Sequence, residues 1–266
     1  MSDTPIDVFI DLPSFPGPVQ AGRLWSHFRK GRESASFEYN KEWLANPHRF
    51  ALEPLLPLAD GTFHTNPGQS VFGAIGDSTP DRWGRILMRR AELARARTAN
   101  ESPHTLSELD YLLRVNDEAR QGALRFSQDG GQSFCAPPGS TPIPPLVNLS
   151  RLLHAADHFC RDDENAEDLR LLLAPGSSLG GARPKASVKD KKGNLCIAKF
   201  PRYDDEYNVV AWEAVALTLA SKAGLQVPRF ELEKITDKDV LIVWRFDRTR
   251  EQRRICLLYT SPSPRD

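Results

Sequence analysis

Gly176-Ser177-Ser178-Leu179-Gly180-Gly181-Ala182-Arg183-Pro184-Lys185 opens the stretch that organises this chain, and Ala186-Ser187-Val188-Lys189-Asp190-Lys191-Lys192-Gly193-Asn194-Leu195-Cys196-Ile197-Ala198-Lys199 completes it. The first six residues hold three glycines and two serines. Low side-chain bulk and many free backbone N–H groups are what a loop needs to receive phosphate oxygens. Lys185 follows the glycines. Asp190 to Asn194 reads as a turn into the apolar run Leu195-Cys196-Ile197-Ala198, a strand that Lys199 ends. A loop, a strand and a strand lysine are the parts that hold a nucleotide triphosphate in a kinase amino-terminal lobe. The loop is not a Walker A motif, because Ala182-Arg183 stand where Lys-Ser or Lys-Thr would follow Gly181. Nor is it G-x-G-x-x-G. Composition alone leaves open whether it cradles phosphate or is an ordinary flexible hairpin.

Lys+Arg and Asp+Glu both total 35 in 266 residues, so the formal net charge is zero and no global argument for nucleic acid or membrane arises. A hydrophobic fraction of 40% suffices for one large or two smaller cores. No run of 18 apolar residues occurs, and Met1 to Asp11 lacks the basic-then-apolar order of a secretory signal. Cys135, Cys160, Cys196 and Cys256 show no C-x-x-C spacing and read as free thiols of a reducing cytosol.

In the first half, Val8–Leu12, Gly22–Trp25 and Ser34–Tyr39 have strand composition, with Gly31 at a turn and one helical turn over Asn40–Leu44. Asp77-Ser78-Thr79-Pro80-Asp81 starts a helix whose Trp83, Ile86, Leu87 and Leu93 share a face. Its many arginines read as a solvated face that covers apolar surface with their stems, in preference to a phosphate-binding one. Glu108–Val115 suits a helix and Gly122–Phe126 a strand. Asp129-Gly130-Gly131, followed by the prolines and glycine of Pro137–Pro145, makes Asp129–Pro145 a low-complexity break, which places a domain boundary or linker there.

Beyond the linker, Leu149–Phe159 is amphipathic. His154 and His158 stand at i and i+4, a metal-capable spacing, but the sequence offers no third ligand, so no metal site is assigned. A second helix over Glu167–Leu173 is expected to end before Pro175. After Lys199 an alanine-rich helix runs from Asn208 to Ala223, ended by Gly224, with Trp212, Val215, Ala216 and Leu219 in a stripe. By order and element, Lys199 and Glu213 suit the strand-lysine and helix-glutamate pair of a protein kinase; a solvent-facing Glu213 is the alternative. Arg229–Ile235 and Val240–Trp244 complete a hairpin.

Ser178-Leu179-Gly180-Gly181-Ala182-Arg183-Pro184-Lys185 resembles the signature loop of the HipA family, the serine/threonine-kinase toxins of bacterial toxin–antitoxin pairs. The first half resembles that family independently and in order: Ser36-Phe37-Glu38-Tyr39, Leu56-Pro57-Leu58, Phe72 with Asp77-Ser78-Thr79-Pro80-Asp81-Arg82-Trp83-Gly84, and Gln121-Gly122-Ala123-Leu124-Arg125-Phe126. Trp244-Arg245-Phe246-Asp247-Arg248 resembles the stretch entering the hinge between lobes, although the family more often has an acidic residue at the place of Trp244.

The resemblance implies an α+β fold. It would have a HipA-like N-terminal subdomain over 1–135 with a sheet and helices, and a linker over 136–148. A kinase-like N-lobe of about five antiparallel strands and a helix would follow over 149–255. ATP would be held by Gly180, Gly181, Ala182, Arg183, Pro184, Lys185, Lys199, Trp244, Arg245 and Phe246, with Lys199 and Glu213 in supporting roles. The ligands of Mg2+ and the catalytic Asp belong to a C-lobe that this chain is expected to lack. Ser178 would be the autophosphorylated serine, with Ser177 as the neighbouring candidate. Partners would be a HipB-like antitoxin, DNA only through it, and a protein of the translation machinery such as an aminoacyl-tRNA synthetase as substrate. The setting would be the bacterial cytoplasm, with no membrane. Residues 256–266 read as a non-native tail, similar to a translated sequencing adapter. The competing reading is a non-catalytic nucleotide-binding or partner-interaction module.

Overall fold

The computed structural model describes residues 5–136, 142–176, 178–249 and 252–253. Ser177, residues 137–141 of the expected linker and the expected tail 256–266 lie outside them. In chain order the elements are β1 (Ile6–Ile10), β2 (Val19–Arg29), β3 (Arg32–Tyr39), α1 (Lys41–Ala45), β4 (Thr62–His64), α2 (Gly73–Gly76), α3 (Arg82–Ala99), α4 (Glu108–Leu113), β5 (Leu124–Ser127), a 3-10 turn (Leu146–Asn148), α5 (Leu149–Cys160), α6 (Ala166–Gly176), β6 (Lys185–Lys189), β7 (Leu195–Lys199), α7 (Val209–Lys222), β8 (Phe230–Ile235), β9 (Lys238–Trp244), and the two-residue strands β10 (Arg248–Thr249) and β11 (Gln252–Arg253). They form an α+β fold whose two larger sheets are antiparallel.

The chain divides into two compact units: Met1–Thr79, Thr105–Ala136 and Gln252–Asp266 in the first, Pro80–His104 and Pro137–Glu251 in the second. Helix α3 thus goes with the second unit, whereas the sequence reading kept it inside 1–135. Its apolar partners are remote in sequence: Trp83 and Leu87 pack among Leu152, Phe159, Leu172 and Ala186.

In the first unit the sheet order is β4-β3-β2-β1-β5. The β2–β3 hairpin turns at Lys30 and Gly31, both with positive φ (50° and 74°). Such a two-residue turn matches the right-handed twist of the flanking strands. Trp43, Phe37, Phe72 and Phe126 fill the core. Arg120 is fully buried, and its guanidinium donates to the carbonyls of Ser78, Leu112 and Val115 at 3.0, 2.9 and 3.1 Å. Three carbonyls from loops and a helix end are thereby satisfied by one cation.

Two carboxylates in this unit work against folding at neutral pH. Burial, then the nearby Glu53 charge, pushes Asp77 up to about 6. Burial also raises Glu53, which accepts from the Ala74 N–H at 2.6 Å. A carboxyl raised in the folded state favours folding below its unfolded value, and that contribution is lost as pH rises through the folded one. Asp77→Asn should therefore match the parent in melting temperature near pH 4 and exceed it increasingly up to pH 7. A gap independent of pH, followed by thermal melts, contradicts this.

In the second unit the sheet order is β6-β7-β9-β8. Four strands are found among the described residues where about five were expected. The chain enters the glycine loop from a helix, α6, and not from a strand. Side-chain alternation sends Ala186, Val188, Cys196, Ala198, Val240 and Ile242 into a core with α3, α5 and α6. The other face takes α7, through Val210 and Ala214 against Leu241. The expected stripe of Trp212, Val215 and Leu219 is instead solvent-exposed, as is Leu93 of α3. Short runs of apolar residues on nearly all-apolar helices do not tell which side a sheet will cover.

Candidate nucleotide site

Period-two alternation decides where the lysines go. With Ala186 and Ala198 turned into the helical core, Lys185 and Lys199 turn to the α7 face. The β6–β7 register sets them directly opposite each other. Like charges so placed repel. Burial, then the Lys199 charge, lowers Lys185 to about 8. Lys199 is joined to Glu213 of α7 in an ion pair.

The helix that brings Glu213 here is built as the sequence suggests. The Asn208 side chain caps α7 by accepting from Ala211 N–H at 2.9 Å, and Gly224 leaves the helix at φ 82°. Val210 and Ala214 face the sheet, which sets Glu213 beside them at its edge. The expected Lys199–Glu213 pair is thus present in the structure.

The loop differs from its expected shape at both ends. Helix α6 continues through Pro175 to Gly176. Pro175 lies in the last turn, where its missing N–H forfeits only one helical bond. Gly176 is needed for packing, since a Cβ there would lie 2.6 Å from Leu87 Cδ1 and 3.1 Å from Trp83 Nε1. At the other end, Lys185 already belongs to β6. Between them, Gly181 adopts φ 77°, a left-handed turn that glycine enters without strain.

That turn is held from three sides. Trp83 N–H donates to the Gly181 carbonyl at 2.9 Å, and Trp83 Nε1 donates to the Lys185 carbonyl at 2.8 Å. Lys185 Nζ donates to the Gly180 carbonyl at 2.7 Å. Asp81, the residue capping α3, accepts from Gly181 N–H at 2.6 Å and from Arg82 N–H at 2.7 Å. Those bonds, the Gly181 one first, keep the Asp81 carboxyl below the usual carboxylate range. A carboxylate of the chain itself sits on the loop amide that a phosphate oxygen would use. Asp81 was read from sequence only as part of a helix start; nothing in its spacing points to Gly181, 100 residues on.

The remaining expected residues fall in three places. Arg183 is paired with Asp205, whose carboxylate also takes the Arg202 N–H at 2.8 Å. Ser178 is buried, and its Oγ has no hydrogen-bond partner among the described residues. Trp244 stands opposite Cys196, three register positions from the Leu241–Lys199 pair, about 10 Å at the strand rise. Its indole donates to Asp190 at 3.0 Å under the Arg229 guanidinium. The backbone N–H groups of Trp244 and Arg245 are both used within the sheet, by Arg229 and Leu195 carbonyls. The Arg245 guanidinium is turned to Asp247 at 2.5 Å, and Phe246 is exposed. The structure therefore gathers Gly180, Gly181, Lys185, Lys199 and Glu213, adds Asp81, and leaves Trp244, Arg245 and Phe246 at the far end of the strand.

Among the described residues no helix is long and apolar enough to cross a membrane. Two family models match the chain: the HipA N-terminal domain over residues 17–127 and the HipA-like C-terminal domain over residues 177–259. No curated protein matches. Among solved structures, the chain is similar to one in the complex of HipA, HipB and operator DNA from the toxin–antitoxin system of Shewanella oneidensis MR-1, at 17% identity and a TM-score of 0.48. The similarity covers 94% of this chain and 53% of that one, so the present chain spans about half the length of its structural relative. With both domain models of one family matched in order, over about three quarters of its length, this chain belongs to the HipA family.

Proposed function

We propose that this chain supplies the nucleotide cradle of a HipA-type serine/threonine kinase toxin, whose parent transfers the γ-phosphoryl of ATP to a protein serine. The observation that carries the reading is the facing pair Lys185 and Lys199 beneath the left-handed turn at Gly181, with Lys199 locked to Glu213. Two ammonium groups are forced side by side; Lys199 has Glu213, whereas Lys185 rests on the neutral Gly180 carbonyl and needs an anion. A triphosphate fits that need. Lys185 and Lys199 would hold its phosphates, with the Gly181 amide joining only if Asp81 leaves it; the base would lie toward Trp244–Phe246.

Mg2+ is another matter. The two carboxylates at the cradle are both engaged, Asp81 with Gly181 and Glu213 with Lys199. No H-x-D or D-F-G string follows Phe246 to supply a catalytic base or further metal ligands. Purified residues 1–266 are therefore expected to bind ATP saturably and to transfer no phosphoryl group. Radiolabelled phosphate appearing on the chain or on an added translation protein would contradict this.

The burial of Ser178 supports its assignment as the regulatory serine. An unpartnered buried hydroxyl costs about 1–3 kcal/mol, so the loop holds Ser178 inward against a penalty. A phosphate dianion has no place there and would keep the loop out. In the parent, a HipB-like antitoxin would be the partner, DNA would be reached through it, and the substrate would be a translation protein. The exposed Trp212 and Leu219 on α7 favour the second reading, a partner-binding module. That reading makes no use of Lys199.

A further inference from the structure

We propose that His154, His158 and Asp168 form a zinc-type divalent metal site that staples α5 to α6, apart from the nucleotide cradle. The sequence shows two histidines one turn apart and no third ligand. The fold supplies the third, ten residues after His158. One nitrogen from each ring and one carboxylate oxygen lie within 4.8 Å of one another. A tetrahedral ion with bonds of about 2.0–2.2 Å needs its ligand atoms about 3.3–3.6 Å apart. Rotation of the exposed His154 ring covers the remaining 1 Å or so.

The carboxylate is held ready. Asp168 is in the first turn of α6 and forms a capping pair with Asn165: its Oδ2 accepts the Asn165 N–H at 3.2 Å, and Asn165 Oδ1 accepts the Asp168 N–H at 3.0 Å. The same Oδ2 takes His158 Nδ1 at 3.0 Å. A carboxylate on one imidazole nitrogen fixes the tautomer and presents the other nitrogen to a metal.

A plain helix clasp explains part of this arrangement. His158–Asp168, with Arg151–Glu167 at 3.0 Å beside it, ties the two helices. The clasp gives His154 no task. His154 makes no hydrogen bond among the described residues and touches the His158 ring edge to face, centroids 4.0 Å apart. Its exposure leaves the remaining coordination positions to water. Two imidazoles and one carboxylate suit Zn2+, Co2+ or Ni2+ and not Mg2+, so the ion of the nucleotide would not compete.

The test uses the full chain, untagged and chelator-stripped. Zn2+ affinity is read by competition with a chromogenic chelator, geometry by the visible spectrum of added Co2+, and stability by thermal melts. The expected result is one ion per chain, unaffected by millimolar Mg2+, and a melting temperature raised by Zn2+. His154→Ala should weaken affinity at least tenfold and abolish the Zn2+-induced rise, with the metal-free melt unchanged. Because His154 is exposed, this variant decides the matter even if His158→Ala or Asp168→Asn fails to fold. Absent binding, binding undiminished in His154→Ala, or a near-ultraviolet thiolate band placing Co2+ on cysteine would overturn the proposal.

Discussion

Trp83→Ala is expected to destabilise the second unit by about 3–5 kcal/mol, the usual cost of removing a buried large aromatic residue. Trp83 is almost fully buried against Phe159, ring centroids 5.1 Å apart and near edge to face. It also ties helix α3 to the cradle twice, through its backbone N–H to Gly181 and its indole N–H to Lys185. Loss of the indole leaves a cavity between α3, α5 and α6 and an unpaired carbonyl on Lys185. Trp83→Phe keeps most of the ring and removes the donor alone, so it should cost about 1–3 kcal/mol. Urea unfolding followed by far-ultraviolet circular dichroism should shift the transition of the second unit and leave that of the first in place. A loss below 1 kcal/mol for Trp83→Ala would mean that α3 does not anchor the loop.

Lys199→Ala should act in the opposite way, on binding and not on folding. Both side chains of the Lys199–Glu213 pair are substantially solvent-exposed, and exposed pairs contribute about 0–1 kcal/mol. The melting temperature should barely move. Nucleotide affinity should fall about 10- to 100-fold, the equivalent of one or two charge-assisted hydrogen bonds. Glu213→Gln should cost less, because it frees Lys199 without removing its charge. Unchanged affinity in Lys199→Ala would favour the partner-binding module over the kinase reading.

How far the sequence reached follows from what each feature depends on. Local signals were legible. Helix starts near Asn40, Asp77–Asp81, Glu108 and Asn208 were legible to within a few residues, the observed caps being Asn40, Asp81, Ser107 and Asn208, and Gly31 and Gly224 stand at the turn and the helix end expected of them, both with positive φ. The strand lysine was legible by order and element, whereas Glu213 was legible only as one of two alternatives, since a helix glutamate can equally face solvent. Contacts between distant segments were not. Nothing near Gly181 announces that Asp81 will hold its amide, and nothing near His158 announces Asp168. The helix end at Pro175 was misplaced because a proline in the last turn costs little, and tight packing of Gly176 on Leu87 and Trp83 rewards one more turn. The exposed stripe of α7 was unreadable as such, since an alanine-rich helix offers apolar residues on several sides.

The most direct measurement is calorimetric titration of a non-hydrolysable ATP analogue into residues 1–266 at pH 8, in buffers of different ionisation heat. Burial and Lys199 lower Lys185 enough to leave it partly deprotonated there, and an anion beside it restores the full charge, so binding should take up a fraction of a proton. Lys185→Met should bind weakly or not at all, and with no such uptake. Saturable binding with the same proton count in both proteins, or no saturable heat from the parent chain, would contradict a phosphate site built on these two lysines.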